Sequence, residues 1–271
     1  MVHSEFVGAP GLIVGALKAE REYACIIEAI EREAKSDRPS PLRITGMSEG
    51  VRGAFAALLA KYVAEKHKKP LLVIVPDEKE GQKCFGLLSA CGLTPLLYPF
   101  RDFIFHNITA SHESDHERLS VLYAVLEGTC DAVIATPDAA LEYTMPREVA
   151  MRSQLNFGLD SPISPDELKK FLAGAGYVRV ELVDGAGQYA VRGDIVDVFP
   201  PKSENPVRIE FFGDDIDRIS AFDLLTQRRI ENLDSVEIPP AREILVGAKE
   251  REELLRVITT QIKKCEDDRT R

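Results

Sequence analysis

Two neighbouring stretches of the chain alternate apolar and polar residues with the period of a β-strand. They are YAVRGDIVDVFPP (189–201) and PVRIEFFGDDIDRISAFD (206–223). Both are rich in β-branched and aromatic residues and contain Gly-Asp pairs, which predicts antiparallel strands joined by tight turns. In the second stretch, alternate residues form two sets on opposite faces: Val207, Ile209 and Phe211 on one, and Arg208, Glu210 and Phe212 on the other.

In the first stretch, 189–201, the apolar residues change from odd to even positions. Val196 and Val198 do not share the parity of Tyr189, Val191 and Ile195. A change of parity within one strand indicates an extra residue, so we predict a bulge or a sharp twist near Gly193.

The first half of the chain alternates short apolar segments with helical patterns. The strand candidates are LRIT (42–45), LLVIV (71–75), LLY (96–98) and AVIAT (132–136). LLVIV is continuously apolar, as expected of a strand covered on both faces. Alternating strands and helices predict an α/β domain with a parallel sheet.

A different pattern follows Pro146 and indicates a second domain. Residues 147–232 begin with a short helix, for which Ser164 and Glu167 form a capping box, and continue as antiparallel strands. We therefore expect an α/β domain at 1–146 and a small α+β domain at 147–232. The last segment, 233–271, contains a helix predicted to bury Leu254, Leu255, Ile258 and Ile262 and ends in charged residues, from which we expect a longer protein.

Charge and cysteine usage narrow the class of partner. The 271 residues carry a net charge of −10, which argues against DNA as the main partner and favours a protein. The five cysteines have no paired spacing, as in a cytoplasmic protein with reduced thiols. No run of about 18 apolar residues is present, so no membrane span is predicted.

The sequence ITGMSEGVRG resembles a phosphate-binding loop that lacks the residues for binding phosphate and magnesium. Such a loop ends in Gly-Lys-Ser/Thr, whose lysine binds phosphate and whose hydroxyl binds magnesium. One alignment, which matches Ile44-Thr45-Gly46 to the family, puts Glu49 at the lysine position and Gly50 at the hydroxyl position. The other counts from Gly46 and puts Arg52 at the lysine position and Gly53 at the hydroxyl position, with Val51 in place of the second glycine. We expect an inactive loop, no bound nucleotide and no catalytic residue.

Two further groups of polar residues have simple structural explanations. Asp77 and Glu78 follow an apolar strand as a magnesium-binding pair would, but Asp77 is better explained as the cap of the next helix. His106, His112 and His116 lie in a polar loop entering a helix without a nearby cysteine. We predict exposed histidines, no metal and no cofactor.

The pairing of RGDIVDVFP (192–200) with RIEFFGDDIDRI (208–219) resembles UvrB, a protein of nucleotide excision repair. More closely, it resembles the UvrB-like N-terminal module of bacterial transcription-repair coupling factors (Mfd), over roughly residues 42–246. The resemblance implies a helicase-like fold with a degenerate P-loop, into which the small domain is inserted. Residues 233–271 would then pack back onto the first domain.

The same resemblance implies a function and its residues. The module would recruit UvrA through Arg192 and Phe199, which match an arginine and a phenylalanine of the family's UvrA-contacting surface, with Arg179 as a third position. Ala190 replaces a further arginine of UvrB. In the full-length protein, RNA polymerase and DNA would be partners, another domain would mask this surface, and the DNA translocase would be an ATP hydrolase.

Three alternatives remain open from the sequence. Arg179 and Arg192 could simply pair with local carboxylates while Phe199 lies in the core. The chain could instead be a nucleotide-binding enzyme with an atypical loop. It could also be a UvrB-like damage-binding protein, although the link from Tyr98 to Ser114 lacks the tyrosine-rich hairpin of UvrB.

Overall fold

A computed structural model of the chain describes residues 9–101, 113–245 and 248–269. The chain divides into two compact units, Met1–Glu142 and Tyr143–Arg271. Their sheets are separate, and no strand of one continues the sheet of the other among the described residues. The expected boundary at Pro146 thus lies four residues beyond the division that the structure has.

The first unit contains a small parallel sheet between two layers of helices. Its elements are α1 (Ala9–Ala19), α2 (Arg21–Ala34), α3 (Glu49–His67), β1 (Leu71–Ile74), α4 (Glu78–Ala90), β2 (Pro95–Tyr98), α5 (Glu113–Glu127), β3 (Ala132–Ala135) and α6 (Pro137–Leu141). The strand order is β1-β3-β2, with both pairings parallel. One apolar cluster joins Ala132 to α1, α3 and α4, and another joins Val133 and Ala135 to α5. The α/β alternation predicted from the sequence is confirmed.

Two predictions about this sheet are wrong. LRIT (42–45) is not a strand, and Leu42 and Ile44 are partly exposed. β1 is therefore an edge strand of the described sheet, and its Leu72 and Ile74 are 58% and 49% exposed instead of covered on both faces. An apolar run of four or five residues has no periodicity that would tell a central strand from an edge strand or a coil.

A buried arginine closes the end of the first unit. The Arg118 side chain on α5 is 0% exposed, and its Nη1 lies 2.6 Å from Oε2 of Glu142 and 2.7 Å from the carbonyl oxygen of Pro99. Its guanidinium also lies 4.2 Å from the centre of the Tyr98 ring. Because a buried charge is stable only when it is paired and hydrogen-bonded, these contacts hold the chain at Glu142, where the first unit ends.

The second unit is built on a six-stranded sheet. Its elements are α7 (Arg147–Arg152), β4 (Leu155–Gly158), α8 (Pro165–Gly174), β5 (Val178–Arg179), β6 (Gln188–Arg192), β7 (Ile195–Val198), β8 (Val207–Phe212), β9 (Asp215–Phe222), β10 (Arg229–Asn232), β11 (Ser235–Ile238) and α9 (Ala248–Arg269). The strand order is β10-β9-β8-β7-β6-β5, and β4 and β11 form a separate pair. α8 begins with the predicted capping box of Ser164 and Glu167.

The core of the second unit lies on one face of this sheet. Leu168 and Leu172 of α8 are fully buried in one cluster with Val196, Val198 and Ile209. We call this face of the six-stranded sheet the core face.

The last segment begins within the second unit. Ser235–Ile238 pairs with Leu155–Gly158, and Ile238 and Ala241 are buried in the core of the second unit rather than in the first domain. In α9, Leu254, Leu255 and Ile258 are 45–55% exposed, so the burial predicted for this helix is not found in the part of the chain that the structure describes. Insertion of the small domain into the larger one stays a prediction.

The junction between the two units should be the first site of proteolysis. Tyr143 is 98% exposed and lies in coil directly after the anchored Glu142. Leu225 is 92% exposed, but its turn is held by hydrogen bonds from Thr226 and Gln227 to Asp223, and an ordered turn fits a protease poorly. Limited chymotrypsin digestion, read by mass spectrometry, should therefore cut first after Tyr143. A Tyr143→Ser variant should lose this cut, and a first cut within residues 155–241 would contradict the expectation.

Candidate functional site

The predicted bulge near Gly193 is instead a tight hairpin. β6 ends at Arg192 and β7 begins at Ile195, and these two residues pair across a two-residue Gly193-Asp194 turn. Gly193 has a φ of +60°, a conformation that glycine adopts without strain and that hairpin turns of this length require. The change of parity in the sequence therefore marks a reversal of the chain, and the prediction of a bulge in one strand is wrong.

This hairpin brings Arg192 and Phe199 to the same face of the sheet. Arg192 pairs with Ile195, and Ala190 pairs with Asp197. Phe199 continues the ladder opposite Gln188, whose carbonyl oxygen accepts a hydrogen bond from its backbone N–H. Paired residues share a face, so Arg192, Asp197 and Phe199 lie together on the face opposite the core. We call this the arginine face.

Arg192 and Phe199 are nevertheless not neighbours on the arginine face. Phe199, just beyond β7, lies four residues from Ile195, the partner of Arg192, which at about 3.4 Å per residue corresponds to about 14 Å. Phe199 is half-buried, whereas the Arg192 side chain is 46% exposed. A single partner surface must therefore span both residues to bind them at once.

Arg179 is separated from the other two candidates. It lies on the edge strand β5, where it pairs in parallel with Tyr189, and Tyr189 belongs to the core face. Arg179 is exposed, as expected for an edge strand with few neighbours. The register thus gives Arg179 the opposite face from Arg192 and Phe199.

The arginine face is organised around a carboxylate that was not predicted. Asp197 is 0% exposed, and its Oδ1 and Oδ2 accept hydrogen bonds from Nε and Nη2 of Arg208 at 2.7 and 2.9 Å. Oδ2 also accepts a hydrogen bond from Nη2 of Arg192. The hydrogen bonds from Arg208 to Asp197 raise the pKa of that guanidinium, so it remains charged. Arg208 is also stacked on the Phe222 ring, 4.5 Å from its centre.

This arrangement bears on the alternative that the arginines only pair with local carboxylates. Arg192 is indeed paired, but its guanidinium uses one donor on Asp197 and has five, and nearly half of its side chain remains exposed. Pairing therefore orients Arg192 without covering it. The sequence held one signal for Asp197, since an aspartate between Val196 and Val198 must lie on the face opposite two core residues.

The phosphate-loop residues do not form a strand–loop–helix site. Within residues 9–48, which the structure describes, no strand leads into Gly46, since Ile44 lies in exposed coil, and α3 begins at Glu49. Gly50 and Arg52 are exposed on the first turn of that helix. Gly53 has a packing reason to be glycine, since a Cβ there would lie 3.1 Å from Cδ1 of Leu87 on α4.

The structure describes Asp77 but not all of the predicted exposed histidines. The Asp77 side chain accepts a hydrogen bond from the backbone N–H of Glu80 at 2.9 Å, which confirms it as the cap of α4. His106 and His112 lie outside the described residues. Within the described residues, no group of three or more His, Cys, Asp or Glu is arranged to hold a metal ion, and no helix is long and apolar enough to cross a membrane.

Removal of the Asp197 carboxylate should destabilise the second unit strongly. Asp197→Ala leaves the largely buried Arg208 without its carboxylate, and breaking a buried ion pair in this way costs about 3–5 kcal/mol. Urea unfolding followed by circular dichroism measures this loss. The control, Arg192→Ala, leaves Asp197 paired with Arg208 and should cost less than about 1 kcal/mol, as for an exposed pair. Equal losses for the two variants would contradict this account of the arginine face.

Comparison with known protein families gives a match for part of the second unit. Residues 155–244 match the family model described as "UvrB interaction domain". This range begins at β4 and ends after β11, so it contains the whole six-stranded sheet and its core. The hairpin with Arg192, Asp197 and Phe199 lies inside it.

The chain is also similar over most of its length to proteins named transcription-repair-coupling factor. The protein of Bacillus subtilis is 32% identical over 238 residues, which is 87% of this chain and 20% of the relative. That of Escherichia coli is 28% identical over 193 residues, 70% of this chain and 17% of the relative. That of Myxococcus xanthus is 35% identical over 214 residues, 75% of this chain and 18% of the relative.

The chain spans about a fifth of the length of these relatives. The family match and the alignments with these relatives confirm the resemblance expected from the sequence. Residues 155–244 match the UvrB interaction domain, in a chain that is homologous over most of its length to bacterial transcription-repair-coupling factors.

Proposed function

We propose that this chain recruits UvrA as the adaptor module of a transcription-repair coupling factor in transcription-coupled nucleotide excision repair. The observation that carries the proposal is the exposed guanidinium of Arg192, oriented by a buried carboxylate, inside the UvrB interaction domain. Phe199 on the same face supplies apolar area to the same partner surface.

The energetic basis of the proposal is pre-organisation. A free arginine loses rotamer entropy when it binds a partner, whereas Arg192 is already hydrogen-bonded to Asp197 before binding. Its remaining donors can form a two-pronged contact with a carboxylate of UvrA. Arginine and aromatic side chains are also the types that contribute most at protein interfaces. Arg179, on the other face of an edge strand, then contributes at the periphery of the interface.

The proposal treats the first unit as a support without ATPase activity. The coil that leads into Gly46 at residues 39–45 and the packing of Gly53 against Leu87 support a loop that only connects elements. Binding of RNA polymerase and DNA, ATP-driven translocation, and masking of the arginine face by another domain are proposed for the full-length protein.

Alanine substitutions should separate partner binding from folding. Arg192→Ala should weaken binding of purified UvrA by about thirtyfold, the scale of a hot spot, with little change in the unfolding midpoint. Adding Phe199→Ala should weaken it further, while Arg179→Ala should change it less than Arg192→Ala does. Isothermal titration calorimetry measures the affinities. Normal binding by the double variant places the interface elsewhere, and unfolding of the double variant means that Phe199 is a core residue.

The chain should not bind ATP. If Glu49 occupies the lysine position, each like-charge contact with a phosphate at about 4 Å costs about 4 kcal/mol at an effective dielectric constant of roughly 20. If Arg52 occupies it, Gly53 offers no hydroxyl to magnesium. Titration of labelled ATP with magnesium should show no saturation up to the millimolar range. A micromolar dissociation constant would favour the nucleotide-binding enzyme instead.

A further inference from the structure

The strand register aligns Arg192 with residues of the three neighbouring strands on the arginine face. Arg192 pairs with Ile195, Ile195 pairs with Glu210, and Glu210 pairs with Arg218. These four residues occupy one row that crosses β6, β7, β8 and β9. With strands about 4.8 Å apart, the row is about 14 Å long. We call it the arginine row.

A third arginine joins this row at Glu210. Nη2 of Arg229 lies 3.1 Å from Oε1 of Glu210, and Nη1 of Arg218 lies 3.4 Å from Oε2. The two guanidiniums thus share one carboxylate, and their side chains are 43% and 40% exposed. Each guanidinium has five N–H donors and donates one hydrogen bond to Glu210.

The row has the opposite charge from the chain as a whole. Arg192, Arg218 and Arg229 outnumber the single carboxylate of Glu210 by three to one, in a chain whose net charge is −10. The neighbouring row adds nothing to this excess, because Asp197 and Arg208 neutralise each other. The excess positive charge is therefore local to this part of the sheet.

We propose that the partner-binding surface extends along the arginine row to Arg218 and Arg229, and that it binds an acidic segment of UvrA lying across the strands. This proposal rests on the proposed function. A row about 14 Å long matches about four residues of an extended segment, at about 3.3 Å each. Such a segment can place carboxylates over Arg192 and over the Arg218–Arg229 pair in one register.

The surroundings of the row favour an acidic protein segment over nucleic acid. Asp215 pairs with Phe212 on the same face at the tip of the β8–β9 hairpin, where Phe212 is 83% exposed. A phosphate backbone crossing the sheet would meet Glu210 in the row and Asp215 beyond it. A short segment that ends before the hairpin tip avoids Asp215 and leaves Phe212 as an apolar border.

The test compares two double variants that remove the same charge. The row variant is Arg218→Ser with Arg229→Ser, and the control is Arg147→Ser with Arg152→Ser, two exposed arginines of α7 in the same unit. Binding of purified UvrA is measured by calorimetric titration at two salt concentrations. At the lower salt concentration, the row variant should bind at least tenfold more weakly than the unchanged chain. The control should stay within twofold of the unchanged chain, and the row variant should also show a weaker salt dependence.

A third variant gives the proposal a readout that a structural role would not produce. Glu210→Gln removes the only carboxylate of the row at nearly constant shape, so the positive charge facing the partner increases. We expect severalfold tighter binding of UvrA, and weaker binding would overturn the proposal. This measurement also decides the matter if the row variant fails to fold.

The outcomes distinguish this inference from the proposed function. If Arg192→Ala weakens binding of UvrA but the row variant behaves like the control, the extension is wrong and the proposed function stands. If neither weakens binding, the interface lies elsewhere and the extension is wrong, whereas the proposed function falls only if the unchanged chain does not bind UvrA. If the row variant loses binding to a labelled DNA duplex while keeping its affinity for UvrA, the row is a nucleic-acid contact and the proposal is overturned.

Discussion

The arginine face depends on one buried ion pair, between Asp197 and Arg208. A carboxylate that is 0% exposed is stable only because two donors of Arg208 and one of Arg192 are hydrogen-bonded to it. The pair also explains how polar residues cover the second side of the sheet, because Arg208 is stacked on Phe222 and keeps that ring from solvent. A charged network here takes the place that a second layer of helices would have in an α/β fold. Arg192, Arg218 and Arg229 remain partly exposed on this face.

An acidic chain can present a basic surface because charge on a β-sheet is sorted by face. Alternate residues of one strand lie on opposite faces, so arginines at alternate positions on neighbouring strands gather on a single side. Glu210 links Arg218 and Arg229, much as Asp197 links Arg208 and Arg192. In each group one carboxylate holds two guanidiniums close together, which lowers their mutual repulsion and keeps them extended toward solvent.

The two units differ in how their apolar surfaces are covered. The second unit encloses one continuous core between α8 and the core face, and β11 completes it from a segment that follows the sheet in sequence. The first unit divides its core between the two faces of a three-stranded sheet and leaves Leu72 and Ile74 exposed at the edge. The match to the UvrB interaction domain, residues 155–244, lies within the unit that has the continuous core.

The sequence by itself determined the local features of this protein. The apolar and alternating patterns predicted β1, β2, β3, β8 and β9, the capping chemistry of Asp77 and Ser164 was correct, and the motif around Arg192 indicated the related proteins. These features depend on residues within a few positions of one another. The tertiary structure decided which faces the candidates share, because a two-residue turn at Gly193 reverses parity and sets the register of two strands at once. The tertiary structure also decided that Asp197 is buried and that Arg179 lies on the core face. It decided further that residues 42–45 form no strand and that residues 235–241 join the core of the second unit. Each of these outcomes depends on long-range pairing that no local pattern encodes.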